Sequence, residues 1–521
     1  MPEPDPIGAI PSALMAQAAR AYAGRVALRY GEQSWNFAEF DAAADRLASG
    51  LARRVTPGER VIMLMANRPE YLILQCAIER AGLVRVPVNA RSTAHELGVI
   101  LADCEPAVLF YDQTTADRVT AAKGVEGLWR AQVDGDVANG GPSYGELGTE
   151  AVDRSCLDRA TLDDLNSINY TSGTSGRPKG AMLTHRNWAA VYRNMLIDRN
   201  IRGDDVLAHI GPLTHASGTY FVPWFLRGAT SVIVEGGAID GLLAAIPKHK
   251  VTVVTCVPTA LTRIVNHPGL DRFDLSSLRM IGYGAEPIPR NTLEKALRKF
   301  GPILVNNYGQ TEAMMTVSNL PAADLFVPGT KEPRVACIGR PYTFVEVILR
   351  GPDLQPVAAG EIGEITIRSD HVMRGYWRMP EETAKALRDG WLWTGDLARM
   401  DESGFITLTG RSKEMLISGG HNIYPQEIEA VLTSCPGVLE AAVVAQPDPD
   451  WGEIAVAFVS LAEDSALSPE AIRTSLKPRL GIRTPKRIEI VPNLPKTTNG
   501  KVDKNLLRER LQKREATHDI R

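Results

Sequence analysis

The chain has 521 residues, and at roughly 150 residues per domain this length predicts about three structural units. Apolar residues make up 44% and charged residues 23% of the chain, an ordinary globular composition that excludes a mainly disordered or fibrous protein. The 58 Lys and Arg nearly balance the 61 Asp and Glu, so the chain has no overall basic field to bind nucleic acid or anionic lipid. We therefore expect no nucleic-acid partner, and any phosphate ligand must be bound by local groups.

The cysteines and the N-terminus indicate the compartment. The six cysteines are scattered, with neither a C-x-x-C pair nor the spacing of a zinc site, as is typical of a reducing compartment. The first residues are acidic and proline-rich, unlike a signal peptide, and no apolar stretch approaches the roughly 18 residues of a membrane span. We expect a soluble, cytoplasmic protein without integral membrane association.

The first part of the chain has the pattern of an α/β lobe. From about residue 35 to 260, short β-branched runs alternate with amphipathic segments, which predicts βαβ units with buried parallel strands. The predicted elements are strands at 60–65, 84–88, 107–111, 231–234 and 251–256 and a helix at 71–81.

The pattern changes near residue 335. Alternating segments and turns between about 335 and 411 predict antiparallel β structure. The predicted elements after residue 411 are helices at 426–432 and 469–480, strands at 438–445, 454–461 and 487–491, and a final charged helix. The predicted fold class is α/β, with a large N-terminal domain of residues 1–411 and a small α+β C-terminal domain of residues 412–521. The large domain divides into α/β lobes to about 334 and a β-rich subdomain at about 335–411.

The most informative segment is residues 170–180, which combine hydroxyl side chains, glycines and Lys179 between an apolar run and a predicted helix. Glycines let backbone N–H groups approach phosphate oxygens, hydroxyls donate further hydrogen bonds, and the lysine supplies positive charge. Because Gly180 follows Lys179, the segment is not a Walker A loop, which has Ser or Thr at that position. We predict a phosphate-binding loop, with a plain linker as the alternative, followed by a helix whose N-cap is Thr184.

This segment resembles the phosphate loop of the adenylate-forming superfamily, which comprises acyl-CoA synthetases, peptide-synthetase adenylation domains and luciferases. The family's other motifs follow in the expected order, namely Tyr308-Gly309-Gln310-Thr311-Glu312, Trp393-Thr394-Gly395-Asp396, Gly410-Arg411-Ser412-Lys413 and Pro495-Lys496-Thr497-Thr498-Asn499-Gly500-Lys501. Together they cover about residues 10 to 510, and an ordered set of this kind is specific. The chain is similar to the acyl-CoA synthetases, the AMP-dependent carboxylate–CoA ligases of this superfamily.

The resemblance implies a site for ATP and Mg²⁺. Asp396 and Arg411 lie on the two arms of a predicted hairpin and would hold the ribose, with an ordinary cross-strand ion pair as the alternative. Glu312 and Thr171 are the implied Mg²⁺ ligands, since this ion prefers one or two protein oxygens plus phosphates. The other implied nucleotide-binding residues are Ser172, Gly173, Thr174, Ser175, Lys179, Gly284, Ala285, Glu286, Asn307, Tyr308, Gly309 and Thr311.

The resemblance also implies two half-reactions at one site. Lys501 would stabilise the transition state in which a carboxylate attacks the α-phosphate, giving acyl-AMP and pyrophosphate. A thiol, normally that of CoA, then attacks acyl-AMP and releases AMP. Lys501 and the thiol cannot reach the same centre at once, so the family rotates its mobile C-terminal domain about a hinge, here Lys413. The implied CoA-binding residues are Gly419, Gly420, Trp451, Arg91 and Arg483, where simple packing is the alternative role of Trp451.

The acyl pocket is the least specific part of the resemblance. His215 matches the family's aromatic position beside the carboxylate, with a structural histidine as the alternative. Acetate-specific relatives have Trp in place of Gly309, and amino-acid-activating relatives have Asp in place of Ala216, so neither substrate is expected. The apolar and aromatic wall candidates are Trp188, Val191, Tyr220, Phe221, Tyr283 and Met314. They predict an aryl or a medium to long aliphatic acid.

Three functions remain open at this point. The first is an AMP-forming ligase that joins a small carboxylic acid to CoA, using ATP and Mg²⁺. The second is a ligase that delivers the acyl group to a carrier protein or to oxygen, and the third is a nucleotide-binding regulator without catalysis. The intact set of Lys501, Glu312, Asp396 and Arg411 argues against the regulator. The oligomeric state stays open, with a homodimer among the options.

Overall fold

A computed structural model describes residues 10–171, 178–462, 465–497 and 501–518. Within these ranges the protein consists of an eight-stranded, a 14-stranded and a five-stranded sheet with helices packed on them. None of the helices in these ranges has the length and apolar character that a membrane crossing requires.

The first elements form most of the eight-stranded sheet and its helices. They are, in chain order, α1 (Pro11–Ala21), β1 (Val26–Tyr30), β2 (Gln33–Asn36), α2 (Phe37–Ala52), β3 (Arg60–Leu64), α3 (Pro69–Arg80), β4 (Val84–Val88), α4 (Ala94–Cys104), β5 (Val108–Tyr111), α5 (Ala116–Ala121), β6 (Trp129–Gln132), β7 (Ala138–Asn139), α6 (Tyr144–Gly148), β8 (Leu165–Thr171), β9 (Lys179–Thr184) and α7 (His185–Asp198).

The sheet has the parallel core that the sequence predicts. Strand β3 pairs in parallel with β4 and β5, and β5 with β6, whereas β9 runs antiparallel to β8. All five residues of β4 are buried, as expected for a strand covered on both faces. Helix α7 begins at a capping box, in which the Thr184 hydroxyl accepts from the Asn187 amide at 3.2 Å. The predicted N-cap is therefore confirmed.

The next elements build the 14-stranded sheet together with β1 and β2, and one of them, the short strand 375–376, joins the eight-stranded sheet instead. They are β10 (Val206–His209), α8 (Ala216–Leu226), β11 (Thr230–Ile233), α9 (Ile239–His249), β12 (Val253–Cys256), α10 (Pro258–Val265), β13 (Met280–Gly284), α11 (Arg290–Phe300), β14 (Leu304–Gln310), β15 (Ala313–Leu320), β16 (Cys337–Pro341), β17 (Glu346–Arg350), β18 (Ile362–Arg368), β19 (Gly375–Tyr376), α12 (Pro380–Ala386), β20 (Leu387–Arg388), β21 (Trp391–Met400) and β22 (Ile406–Arg411).

This sheet contains strands of both the α/β lobe and the β-rich subdomain, which the sequence pattern treats as separate regions. Its order is β17-β18-β21-β22-β16-β15-β14-β13-β12-β10-β11-β1-β2, and its fourteenth strand, β20, pairs with β21 outside this order. The strands from β14 to β1 pair in parallel, and those from β14 to β17 pair antiparallel. The antiparallel β structure predicted for about 335–411 is confirmed. These strands nevertheless continue the sheet of the α/β lobe, because β16 pairs with β15 on one side and β22 on the other.

The remaining elements form a small C-terminal domain on the five-stranded sheet. They are β23 (Leu416–Ser418), β24 (His421–Ile423), α13 (Pro425–Thr433), β25 (Val438–Asp448), β26 (Gly452–Leu461), α14 (Pro469–Leu480), β27 (Arg487–Ile490) and α15 (Lys504–His518). The helix predicted at 469–480 is confirmed at both ends. Between the domains, the Asn291 side chain in α11 donates to the carbonyl of Val438 at 3.4 Å. The predicted architecture of a large N-terminal and a small C-terminal domain is confirmed.

Aromatic side chains fill the core of the large domain. The rings of Phe37 and Phe40 in α2 pack against Phe221 and Phe225 in α8, with centroids 4.4 Å apart for Phe37–Phe225 and 5.5 Å for Phe40–Phe221. Tilted contacts of this kind add to the free energy gained by burying large apolar rings. Helix α8, which begins at the edge of the site described next, is thereby fixed to α2.

Candidate active site

Two of the predicted nucleotide-binding segments meet at the carboxyl ends of β13 and β14, the edge where parallel sheets bind ligands. Gly284 pairs in register with Asn307. A Cβ at Gly284 would lie 2.3 Å from the carbonyl oxygen of Asn307, so the approach requires glycine. Ala285 follows with φ of 71°, a strained left-handed conformation. Next, Glu286 accepts from the amide of Thr259 at 3.0 Å, and burial raises the pKa of Glu286.

Asp396 is held by two partners. One carboxylate oxygen accepts from the Tyr308 hydroxyl at 2.6 Å, and the other pairs with Nε of Arg411 at 2.8 Å. The hairpin of β21 and β22 places Asp396 opposite Arg411, as predicted. The carboxylate raises the pKa of Arg411, and burial, together with the same carboxylate, raises the pKa of Tyr308 well above its ordinary value. The three groups are thus a cation, an anion and a neutral hydroxyl donor.

Lys501 is the residue that the small domain contributes near Asp396 and Arg411. Burial lowers the pKa of Lys501, the charge of Arg411 lowers it further, and the carboxylates of Glu286 and Asp396 oppose both effects. Such interactions require the ammonium group to lie close to these residues of the large domain. The Lys501 carbonyl accepts from the Thr497 amide at 2.7 Å, which fixes the local turn. Groups from both domains therefore converge on one cleft.

Tyr376 connects the predicted metal ligand with the predicted phosphate lysine. Its hydroxyl donates to Glu312 at 2.7 Å, and the Lys179 ammonium lies 5.2 Å from the centre of its ring. Lys179 also forms a short ion pair with Glu382 of α12. Hydrogen bonding to Lys179 lowers the pKa of Glu382 to about 2. Lys179 is thus held by groups that the motifs do not include.

The phosphate loop is only partly within the described residues. Thr171 and Lys179 pair across β8 and β9, and the Thr171 hydroxyl donates to the Lys179 carbonyl at 3.4 Å. Thr311 and Glu312 form the turn between β14 and β15, whose last pair is Gln310 with Ala313. The predicted residues Ser172, Gly173, Thr174 and Ser175 lie outside the described residues.

A narrow cavity begins at His215, the N-cap residue of α8. Two of the predicted wall residues, Trp188 and Met314, border it. Its full lining is Gln75, Arg85, Asn169, Trp188, Leu213, Thr214, His215, Gly218, Thr219 and Met314. The exposed His215 and the buried polar residues Gln75, Arg85 and Asn169 thus border the same cavity.

The other four predicted wall residues are packed elsewhere. Val191 and Phe221 are buried in the main core, where Phe221 contacts other phenylalanines, and Tyr283 lies in a separate apolar cluster. The Tyr220 hydroxyl accepts from the Asn307 side chain at 3.1 Å, which places it behind the nucleotide-binding strands. These residues are candidates for the pocket wall because they are apolar or aromatic. In the structure their apolar area packs sheets and helices.

The structure explains why residue 309 is a glycine, which the sequence alone does not. A Cβ at this position would lie 2.4 Å from the amide nitrogen of Met315 and 2.7 Å from its Cα. The register of β14 and β15 shifts between Tyr308 and Gln310, so the two backbones approach closely. A side chain at Gly309 would meet this backbone, so the pairing of the two strands by itself requires glycine there.

The predicted CoA-binding residues do not all come together. Gly419 and Gly420, both with positive φ, form the turn between β23 and β24, and the Gly419 amide donates to the Trp451 carbonyl at 2.9 Å. The Lys486 ammonium lies 3.8 Å from the centre of the Trp451 ring, and Arg483 pairs with Glu427 at 2.5 Å. Arg91 is exposed in the turn between β4 and α4 of the large domain. One glycine turn and one tryptophan thus contact each other in the small domain.

Several site residues escaped the sequence reasoning. Tyr376 and Glu382 reach Glu312 and Lys179 from β19 and α12, and no family motif marks them. The buried polar residues of the cavity, Gln75, Arg85 and Asn169, lie in predicted core elements where apolar residues are the rule. A charged residue within the buried run 84–88 is the one signal that could have drawn attention to Arg85.

The fold and the site define a class of protein, a two-domain enzyme in which a small domain contributes a lysine to a nucleotide site at the edge of a parallel sheet. Comparison with family models identifies this class. Residues 15–377 match the AMP-binding enzyme family, and residues 427–501 match the AMP-binding enzyme C-terminal domain. The chain belongs to the AMP-binding enzyme family, the adenylate-forming superfamily.

Similar proteins of this family are CoA ligases. A feruloyl-CoA synthase from Amycolatopsis is 37% identical over 93% of this chain and 95% of its own length. An indoleacetate–CoA ligase from Aromatoleum aromaticum is 33% identical over 93% of this chain and 95% of its own, and a medium/long-chain-fatty-acid–CoA ligase from Mycobacterium tuberculosis is 32% identical over 94% and 86%. This chain is accordingly an AMP-forming acyl-CoA ligase, which favours CoA over the carrier-protein and regulator alternatives.

Solved structures agree with the architecture. An amide bond synthetase from Marinactinospora thermotolerans superposes with a TM-score of 0.87 at 29% identity, covering 96% of this chain and 99% of its own. The ATP-bound MatB from Rhodopseudomonas palustris superposes with a TM-score of 0.85 at 31% identity, covering 96% and 98%. The α/β fold class with its small C-terminal domain is thereby confirmed.

Proposed function

We propose that the acid activated by this ligase is aromatic. The supporting observation is the cavity at His215, which Trp188 and Met314 border with an indole ring and a thioether, both suited to contact with a flat ring. The likeness to ligases of ferulate and indoleacetate points to the same class. The alternative substrate is a medium- or long-chain aliphatic acid, which the similarity to a fatty-acid–CoA ligase supports.

In this proposal the nucleotide binds along β13, β14 and the β21–β22 hairpin. Asp396, with its oxygens already oriented by Tyr308 and Arg411, accepts hydrogen bonds from the ribose hydroxyls. Gly284 and Ala285 supply the close backbone surface against which the adenine lies. Each of these groups is rigidly positioned before the substrate arrives, which lowers the entropic cost of binding.

Lys179 and Lys501 supply the positive charge of the first half-reaction. In this proposal Lys179, which contacts Tyr376 and Glu382, binds phosphate oxygens. Lys501 contacts the carboxylate oxygen and the α-phosphate as negative charge develops between them.

Glu312 and Thr171 are the residues that would hold a Mg²⁺ ion. One carboxylate plus a hydroxyl, with phosphate oxygens completing the shell, is the donor set this ion prefers. When bound, Mg²⁺ neutralises phosphate charge and lowers the barrier to pyrophosphate release. The Tyr376 hydroxyl orients Glu312 by donating to one of its oxygens at 2.7 Å.

The second half-reaction requires Lys501 to leave the cleft. We propose that the domains divide at Lys413, in the turn between β22 of the large sheet and β23 of the small one, and that rotation there exchanges Lys501 for the Gly419–Gly420 turn. The thiol of CoA then attacks the acyl-AMP carbonyl, and AMP leaves. We further propose that the enzyme acts in the cytoplasm, where its free cysteines stay reduced.

The test is AMP formation from ATP with a panel of acids, measured with and without CoA. The panel contains cinnamate, benzoate, indoleacetate, octanoate and palmitate. We expect CoA-dependent AMP release with kcat/KM at least about tenfold higher for an aromatic acid than for the aliphatic ones. A preference for octanoate or palmitate would contradict the aromatic proposal, and AMP release unaffected by CoA would contradict the thioester step.

A matched pair of variants ties turnover to this site. Asp396→Ala removes the carboxylate that holds the ribose, and we expect it to raise KM for ATP at least about tenfold. Glu402→Ala removes an exposed carboxylate from the turn of the same hairpin, and its KM for ATP should equal that of the wild type. Equal effects of the two substitutions would place the nucleotide elsewhere.

A further inference from the structure

Helix α15 begins three residues after Lys501, and its first residue is a lysine whose side chain is only 19% exposed. Asp503 caps the helix, because its carboxylate accepts from the amide of Leu506 at 3.1 Å. Lys504 is therefore the first helical residue, a position at which the helix dipole disfavours positive charge. A lysine that is mostly buried and placed at this end of a helix requires carboxylate partners.

Two carboxylates of the small domain bind Lys504. Its Nζ lies 2.7 Å from Oε2 of Glu414 and 2.9 Å from Oε1 of Glu429 in α13. The same oxygen of Glu429 accepts from the amide of Val443 in β25 at 2.7 Å, so this carboxylate is itself fixed. Burial alone would lower the pKa of Lys504, but the two carboxylates outweigh it and raise this pKa. Lys504 is therefore a cation that joins the start of α15 to two other segments of the small domain.

Glu414 extends these contacts to the nucleotide site. It directly follows the proposed hinge residue Lys413, and its amide donates to the carbonyl of Arg411 at 3.0 Å. Burial alone would raise the pKa of Glu414, but the charges of Lys504 and Arg411 lower it. Side chains of alternating charge thus lead from the nucleotide site to α15, in the order Asp396, Arg411, Glu414, Lys504 and Glu429.

The backbone between Lys504 and Lys501 is held as well. Val502 pairs with the incoming arm of the same loop, and the amide of Asp503 donates to the carbonyl of Pro495 at 2.8 Å. A short, hydrogen-bonded backbone segment thus links Lys501 to the ion pairs of Lys504. A shift of Lys504 would therefore be transmitted to the backbone of Lys501.

We propose that Lys504 is a positioning residue for adenylate formation, and that its ion pairs with Glu414 and Glu429 hold Lys501 in the cleft. The inference rests on the proposed function, in which Lys501 serves the first half-reaction. Lys504 contacts no substrate in this account and acts only through Lys501. Because a misplacement of about 1 Å removes much of the effect of a catalytic group, loss of these ion pairs should slow acyl-AMP formation. Attack of the thiol on acyl-AMP, for which Lys501 has left the cleft, should be little affected.

The test variant is Lys504→Met, which removes the charge and keeps most of the side-chain length. With the acid that the panel selects, acyl-AMP formation is measured in a single turnover, and thioester formation is measured from pre-made acyl-AMP and CoA. The ratio of the two rates is independent of the fraction of folded enzyme, so partial misfolding of the variant does not affect it. We expect this ratio to fall at least about tenfold. An unchanged ratio, whether both rates are kept or both are lost equally, would overturn the inference.

Milder variants and a control locate the effect. Glu429→Gln removes one partner charge and should lower the ratio about threefold, whereas Lys504→Arg keeps the cation and should stay within about twofold of the wild type. Arg473→Met is the matched control, because Arg473 forms an exposed ion pair with Glu470 at 3.0 Å in α14 of the same domain, and its ratio should equal that of the wild type. An equal fall in the control, or a fall in Lys504→Arg as large as in Lys504→Met, would contradict the role of these ion pairs.

A double variant separates this inference from the proposed function. In a Lys501→Ala background, Lys504→Met should change the rate of acyl-AMP formation by no more than about twofold, because Lys504 acts only through Lys501. A further loss of about tenfold in this background would show an independent role and refute the inference. If Lys501→Ala itself leaves the ratio unchanged, the proposed role of Lys501 fails and the inference fails with it. If Lys501→Ala lowers the ratio and Lys504→Met does not, the proposed function stands and only the role of Lys504 is refuted.

Discussion

The hydroxyl of Tyr308 is central at the scale of single residues, because it orients the Asp396 carboxylate at 2.6 Å. Removing it by Tyr308→Phe leaves a buried carboxylate with one partner fewer. We expect about tenfold weaker ATP binding, or about 1.4 kcal/mol, measured by titration calorimetry. Tyr192→Phe is the control, since the Tyr192 hydroxyl is buried without a hydrogen-bond partner among the described residues. Unchanged ATP affinity in Tyr308→Phe would contradict the role of this hydroxyl.

Lys501 gives a prediction for pH dependence at the same scale. Burial and the charge of Arg411 lower its pKa, and adenylate formation requires the charged form. Activity is therefore retained below this pKa and lost as pH rises through it. The profile of kcat/KM for ATP reports the free enzyme, and we expect its decline to begin below the roughly pH 10.4 of an ordinary lysine. The arginine of Lys501→Arg is always charged, so this variant should be slower but should not show the decline at high pH. If both proteins show the same decline, a group other than Lys501 causes it.

At the scale of elements, the hairpin of β14 and β15 depends on close backbone contact at Gly309. Gly309→Ala places a Cβ 2.4 Å from the backbone nitrogen of Met315, which cannot move aside as a side chain would. We expect a loss of about 1–3 kcal/mol of stability and a lower melting temperature in differential scanning calorimetry. Gly148→Ala is the matched control, because a Cβ there meets nothing within 4 Å. A melting temperature unchanged by Gly309→Ala would show that the hairpin has room for a side chain.

The sequence predicted those features that depend on local pattern. The parallel strands, the Thr184 cap and the Asp396–Arg411 pairing follow from periodicity, capping chemistry and hairpin register, and all are present. The cavity lining depends instead on how α3, β4 and β8 pack together, which no local pattern encodes. For the same reason the link of Tyr376 to Glu312 and the union of the β-rich strands with the main sheet were not foreseen.

At the scale of the whole molecule, the small domain carries the residue that completes the active site. In this arrangement Lys501 lies within electrostatic reach of Glu286, Asp396 and Arg411, which are all residues of the large domain. The arrangement suits acyl-AMP formation. The central claim is therefore that Lys501 serves the first half-reaction and not the second.

The most direct measurement of this claim follows the two half-reactions separately in Lys501→Ala. Acyl-AMP formation is measured in a single turnover with acid and ATP, and thioester formation is measured with pre-made acyl-AMP and CoA. Lys477→Ala, which removes an exposed lysine from α14 of the same domain, is the control with both rates unchanged. We predict that Lys501→Ala loses the first rate by at least about a hundredfold and keeps the second within a few-fold. Equal loss of both rates would contradict the account.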